Sequence, residues 1–335
     1  MTRILAMLIA LAILSACDSG GGSGDNPISR GAEEEEDDDT GGGNGGTDDE
    51  DAARIPQNIA RNVSNVSYDS ASDTLLVEGI YLDDTPYEAV YTRAPALDRN
   101  GFEAYTKQDD ALDRHATAYT NTTSTGARAT VVATGGPYNE YFTGDYYETS
   151  GTYSAPQVSN TTGLVSYVGR YVGLLNGGGS GEDLLPVDPT TPAELIPSQA
   201  AEVTGTVFMN ADFADNRVEG NIYDREITDT GNSLPSVVLV NTEITDAGAF
   251  TGTVEYSLQQ SDPDWQGIDD IAVGSYAGEF DGDNAQSIVG GIQLDQIDGT
   301  SNQLGLENEL EWGVFTLEQC GTAAANDALC NQVNP

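Results

Sequence analysis

Few residues in this chain are suited to catalytic chemistry. Its one histidine, His115, stands in "DDALDRHAT", so an imidazole-based triad or a histidine-bound metal has only that ring to use. The flanking Asp and Arg residues predict a salt-linked surface histidine instead. No Gly-x-Ser-x-Gly elbow, His-Glu-x-x-His pair, Walker loop or dinucleotide fingerprint is present. Carboxylates number 55 against 12 Lys and Arg, so no single pair stands out for acid–base work. The stretch "DPDWQGIDDIAV" begins like a calcium loop, with Asp262, Asp264 and Gly267 at the first, third and sixth positions. Val273 then occupies the twelfth, where a bidentate glutamate is required. A loose surface site at Asp262, Asp264, Asp269 and Asp270 competes with a plainly solvated loop, and the loop is preferred. The sequence predicts no catalytic residue, no resident metal and no cofactor.

Cysteine is used sparingly, at positions 17, 320 and 330. Arg3 opens the chain, Ile4 to Leu14 is apolar, and "LSAC" follows. The apolar run is too short to span a bilayer and reads as an export signal over residues 1–16. "LSAC" resembles the bacterial lipobox, which implies cleavage before Cys17, lipidation of its thiol and acylation, palmitate among the chains, of the new amino terminus. An ordinary signal peptide is the alternative. Several acyl chains give a lasting membrane anchor, whereas one gives reversible binding. Export leaves Cys320 and Cys330 as a pair in an oxidising compartment, where a disulfide is expected. The closed loop is short, which limits its entropic stabilisation to about 3 kcal/mol. Zinc is the poorer reading of two thiols whose nearest histidine is far along the chain.

The net charge of -43 excludes the usual electrostatics of nucleic-acid binding, which needs clustered Lys and Arg. Solubility, including in salty surroundings where repulsion is screened, accounts for such acidity without a partner. Residues 17–55 contain "EEEEDDDTGGGNGG" and "TDDEDA", a segment unable to bury enough apolar surface to offset its ordering entropy. It reads as a disordered acidic tether with a reach of about 120 Å when fully extended.

From residue 56 the pattern is β. Residues 56–160 alternate irregularly, with weak helical spacing between Arg99 and Thr120 that predicts one short helix. Eleven of the 16 tyrosines fall here. Residues 161–320 contain eight regular runs: Leu164–Leu174, Ala201–Phe213, Arg217–Arg225, Ser236–Ile244, Ala249–Ser257, Ile271–Phe280, Ser287–Asp295 and Glu309–Gln319. An even count of such strands with short turns predicts a closed antiparallel up-and-down barrel, with a β-sandwich as the alternative. Residues 321–335 form a tail bearing the second cysteine of the disulfide.

Two segments within the eight runs share an unusual form. "YVGRYVG" (Tyr167, Gly169, Tyr171, Gly173) and "YAGEFDG" (Tyr276, Gly278, Phe280, Gly282) alternate aromatics with glycines along one strand face. Each glycine leaves a gap that an aromatic on the next strand can cover, and permits the coiling that a narrow barrel needs.

The hairpin "GEFDGDNAQSIVGGI" resembles that of bacterial transferrin-binding protein B and related surface lipoproteins, usually Gly-x-Phe-Tyr-Gly-Pro-x-Ala-x-Glu-x-Gly-Gly-x-aromatic. Gly278, Phe280, Gly282, Ala285, Gly290 and Gly291 match, while Asp281 and Asp283 replace an aromatic and a proline. One extra residue precedes Gly290, and Ile292 replaces an aromatic. "DFADNRVEGNI" and "AFTGTVEYS" are similar to neighbouring strands of that family. The resemblance covers roughly residues 163 to 320 and implies one lobe, in which residues 56–160 form a β-rich "handle" docked on the barrel. It implies a non-catalytic binding protein, lipid-anchored in the bacterial cell envelope, and favours the outer membrane. Asp18, after the cysteine, matches instead the signal that retains enteric lipoproteins at the inner membrane.

For binding, the candidate stretch is "PYNEYFTGDYYETSGTY", with Tyr138, Tyr141, Phe142, Tyr146, Tyr147 and Tyr153. Tyrosine supplies large, rigid contact area at small entropic cost. Alternate tyrosines packing handle against barrel are the competing reading. Residues 56–160 carry 14 acidic and six basic side chains, residues 161–335 carry 28 and three. A protein ligand is therefore expected to meet the handle more easily than the barrel. The ligand is a protein or a small solute of unassigned identity. A structural or adhesive lipoprotein and a lipocalin-like carrier are the other readings.

Overall fold

The computed structural model describes residues 55–82, 84, 87–159, 163–257, 272–295, 310–325 and 327–331. The signal segment, Cys17, the tether and the acidic Asp262–Asp270 loop lie outside the described residues.

Seven strands make the first sheet: β1 (Asn65–Asp69), β2 (Thr74–Glu78), β3 (Glu88–Arg93), β4 (Glu103–Lys107), β5 (His115–Thr122), β6 (Arg128–Gly135) and β7 (Tyr141–Glu148). Each pairs antiparallel with the next. The sheet curls until its ends almost meet. Asn62, just before β1, donates its amide to the Thr143 carbonyl at 3.0 Å and accepts the Thr143 amide on Oδ1 at 3.2 Å. A one-turn helix, α1 (Gln57–Ala60), precedes it and buries Ile59.

The helix expected between Arg99 and Thr120 is absent; β4, a turn and β5 occupy that stretch. The reason is burial on both faces. Ala104 and Tyr119 face the barrel, while Tyr105, Ala116 and Ala118 face the handle's own core. A strand covered on both sides loses the polar–apolar alternation that separates strand from helix in sequence.

The second sheet contains β8 (Leu164–Gly178), β9 (Ala200–Asp212), β10 (Arg217–Ile227), the two-residue β11 (Asn232–Ser233), β12 (Val237–Glu243), β13 (Ala249–Tyr256), β14 (Ala272–Asp281), β15 (Ser287–Leu294) and β16 (Glu311–Gln319). Its order runs β8–β9–β10–β12–β13–β14–β15–β16 and returns to β8, with β11 flanking β10. This is the expected closed eight-stranded antiparallel barrel, and closure removes every long edge. The closing ladder pairs Glu311 with Leu175 through Gln319 with Tyr167.

Side chains fill the barrel. Tyr167, Tyr171, Met209, Phe250, Tyr276, Phe280 and Phe315 lie in one buried interior cluster. The glycines are what make room for these rings. A Cβ at Gly278 would sit 2.6 Å from Phe250 Cζ, and one at its cross-strand partner Gly290 would sit 2.4 Å from Phe315 Cζ. Gly291 points the other way, where a Cβ would meet Asp145 and Ile59 of the handle. Gly282, at φ +84, turns the hairpin in a conformation that disfavours other residues. Gly290→Val is expected to lower barrel stability by about 1–3 kcal/mol through overpacking; chemical denaturation measures it.

The handle lies across the outside of this wall. β6 and β7 cross β15, β16 and β8. Ile59, Phe102, Tyr119, Val131 and Tyr147 interleave there with Val172, Leu174, Ala277, Val289, Trp312 and Val314. The Cys320–Cys330 disulfide is formed, and the tail it closes covers Val168 and Phe208 on the barrel exterior.

Candidate functional site

Strand β7 decides where the tyrosine stretch goes. Tyr141, Asp145 and Tyr147 point toward the barrel, and Phe142 and Gly144 point into the handle. Tyr141 is half-buried and shares a 2.7 Å hydrogen bond with Ser198 of the long β8–β9 connection. Phe142 is buried, with the Arg114 guanidinium 4.8 Å from its ring centre. Tyr146 is half-buried between the handle core and the seam. Tyr147 is buried in the seam, and Tyr153, after β7, packs on Phe280 at 6.5 Å between ring centres. Tyr138 alone stands clear, 69% exposed on the turn before β7. The six residues therefore form no single patch; Tyr146, Tyr147 and Tyr153 come together.

Those three line a cavity of about 380 Å³ with Glu148, Thr149, Gly151, Thr152, Ala247, Glu279 and Phe280. Handle, connecting segment and barrel each contribute a wall. The connecting segment is fastened beneath it: Ser150 donates its amide and hydroxyl to Asp281, at 3.0 Å and 2.8–2.9 Å. Gly282 donates to the Thr152 carbonyl at 2.7 Å, and Ser154 donates back to the Gly282 carbonyl at 3.3 Å. Asp281 thus serves as the acceptor that holds the connection.

Two glutamates line the cavity, Glu279 buried and Glu148 exposed at 3.9 Å from Arg128. Glu279 is 5% exposed and Tyr147 equally buried. Burial, then the charges of Glu279 and Asp145, push the Tyr147 phenol up from its ordinary value. Burial and Asp246 do the same to Tyr153. Asp145 is fully buried behind this wall, and burial holds its carboxyl well above the usual range. Both its oxygens lack a hydrogen-bond partner.

Four further polar clusters lie away from the cavity. His115 is fully buried, not at the surface as expected, because the β8–β9 connection folds over it. Its Nε2 meets Asp183 at 2.9 Å, and that hydrogen bond holds the Asp183 carboxyl below its ordinary value. At one end of the seam, Arg99 donates to Glu202 at 2.6 Å, as does the Tyr119 hydroxyl. Inside the barrel, Arg225 pairs with Glu311 at 2.6 Å, and Tyr171 donates to the same carboxylate at 2.6 Å. Among the described residues, Asp84, Asp110 and Asp113 form a carboxylate trio at the surface.

Sequence reasoning missed Glu279 and the turn residue Ala247, which line the cavity beside residues of the connecting segment far from them in the chain. No family model and no curated protein matches this chain. Among solved structures, the chain is similar to a mutant of the vaccine antigen transferrin-binding protein B from Haemophilus parasuis, at 13% identity and a TM-score of 0.39. That match covers 77% of this chain and 45% of the other. Isotype 1 transferrin-binding protein B from Neisseria meningitidis matches at 15% identity and a TM-score of 0.32, covering 78% of this chain and 42% of that one. The chain thus spans less than half the length of these structures.

Proposed function

We propose that this chain is a lipid-anchored protein of the bacterial cell envelope that binds a ligand without transforming it, at the seam of handle and barrel. The seam cavity is the observation that carries this reading. It is concave, lined by tyrosines with a few convergent polar groups, and built on strands of both sheets, as binding sites usually are. The reading divides the chain into a handle at residues 56–160, a barrel at 161–320 and a disulfide-closed tail. Cys17 and the acidic tether set it at the membrane, with the outer membrane favoured because a long tether serves reach. The interior packing weighs against a lipocalin-like carrier, since rings occupy the space such a ligand needs. Burial of His115 against Asp183 weighs against catalysis by its imidazole.

The test is a thermal-shift panel of haem, iron chelates, glycans and purified proteins, transferrin included, on wild type and on Ala247→Trp. Ala247 is an exposed turn residue at the rim, so the indole fills the cavity without entering a core. One probe is expected to stabilise wild type, by about 2.7 kcal/mol at a hundredfold excess over Kd, and to leave Ala247→Trp unmoved. Stabilisation of neither protein, or of both equally, overturns the seam reading. Cys17→Ser is expected to release the protein from membranes; unchanged partitioning overturns the anchor.

A further inference from the structure

We infer that the seam cavity receives an extended segment of a partner polypeptide, which adds to the free edge of β7 as a further strand. The inference rests on the seam being the ligand site and names the class of its ligand. Thr143 shows which backbone groups of β7 face that edge. Its N–H donates to Asn62 Oδ1 at 3.2 Å and its C=O accepts the Asn62 amide at 3.0 Å, so both point away from β6. The β6–β7 register runs unbroken from Gly135 with Tyr141 to Arg128 with Glu148. Alternation along the ladder therefore turns the N–H and C=O of Tyr147 the same way.

Beyond β7 the chain continues along the cavity. The parallel bridge between Tyr153 and Gly282 uses the Thr152 carbonyl and the Ser154 amide. The N–H and C=O of Tyr153 itself are left on the opposite edge. The backbone groups of Tyr147, Thr149, Gly151 and Tyr153 have no hydrogen-bond partner among the described residues, and all four residues line the cavity. Donors and acceptors gathered along one edge are matched by another extended backbone, whose own groups recur at strand spacing. A small solute presents no such ladder. Tyr147 is only 5% exposed, where unpaired backbone groups are costly, and an added strand satisfies them. The chain already uses the start of this edge in the same way, since Asn62 occupies the place of a strand residue beside Thr143. Further along, that place is open to a segment from outside.

Hydrogen exchange read by mass spectrometry on the full chain tests this, with the blocked peptide Ac-Ser-Val-Thr-Val-Ser-NH2 as probe. Saturating peptide is expected to slow exchange of the amides between Tyr147 and Tyr153 about tenfold or more, and to leave them unprotected in Ala247→Trp. Two analogues read the geometry. N-methylation of the second and fourth peptide residues removes the donors of one edge, and of the first, third and fifth those of the other. One analogue should lose binding and the other should bind like the parent, because a strand added to a single edge uses alternate amides. Thr149→Pro takes a donor from the wall and is expected to weaken binding several-fold. Thr149→Val keeps that amide, loses only the hydroxyl, and is expected to bind as wild type. Should Thr149→Pro fail to fold, the two analogues decide. Equal loss or equal retention in both analogues overturns the inference, as does unchanged affinity in folded Thr149→Pro. Protection in the free protein that grows with its concentration identifies a second copy of this chain as the occupant and overturns it also. Seam binding by haem, a chelate or a glycan, with no peptide bound, overturns the inference and leaves the seam reading standing. If no probe of any kind binds, both fall.

Discussion

Glu311→Ala is expected to destabilise the barrel by about 3–5 kcal/mol, the largest effect of any single side chain described. Arg225 and Glu311 are both wholly inaccessible. The carboxylate receives Arg225 on one oxygen and the Tyr171 hydroxyl on the other, and Arg225 also donates to the Pro235 carbonyl at 2.7 Å. Removing Glu311 strands a guanidinium among aromatic rings, where desolvation is no longer offset. The paired replacement Arg225→Met with Glu311→Leu should recover most of the loss, because a buried ion pair is worth little more than apolar residues of its volume. Urea unfolding of the single and paired variants checks both statements. A single-variant loss below about 1 kcal/mol, the level of an exposed pair, would show that water reaches the site.

Asp145 should make the seam sensitive to pH, in the direction opposite to a salt-bridged acid. Burial raises its carboxyl well above the ordinary value; the amides of Gly313 and Ile292 oppose this without reaching hydrogen-bond geometry. The folded protein therefore keeps a proton that the unfolded chain releases near pH 4, the ordinary carboxylate value of about 3.9. Stability contributed this way is fully present below that value. It falls by about 1.4 kcal/mol per pH unit as pH rises, until the folded carboxyl itself ionises. The other carboxylates titrate in the same range, so the diagnostic quantity is wild-type stability minus that of Asp145→Asn. That difference should decline as pH rises above about 4 and level off once the folded carboxyl ionises. A flat difference would mean that Asp145 is hydrated or paired in the folded protein.

All eight barrel strands were legible because their inner faces are apolar and their turns carry Asp, Asn and Gly. The boundaries shifted little: Ile271–Phe280 was expected where Ala272–Asp281 is found, and Glu309–Gln319 where the strand is Glu311–Gln319. The aromatic–glycine alternation located the rings and the gaps that receive them. The outer faces were harder to interpret. Alternation puts Ala277, Glu279 and Asp281 outside the barrel, and acids on an outer face read as solvated. They are buried because the handle covers them, a fact carried by contacts such as Ser150 with Asp281, 131 residues apart. His115 was misplaced for the same reason, since Asp183 and the loop bearing it lie 68 residues away. Sequence shows which face a residue occupies, but not which distant element covers that face.

In both sheets strands pair with near neighbours in sequence (β10 with β12 skips only the two-residue β11), except in one ladder, β8 with β16. Tyr171 and Glu311, which meet at that ladder, are 140 residues apart. Hairpins close over short loops in microseconds, whereas a pairing of such separation waits for everything between to be in place. During synthesis β8 therefore remains an open edge until the chain has emerged as far as Gln319. Two long unpaired edges are a template for joining another copy. The 28 acidic and three basic side chains from residue 161 onward act in that interval, since copies at the same stage repel one another before their edges can meet. On this account the acidity matters most to the unfinished barrel, as a safeguard against misassembly while its last strand is awaited.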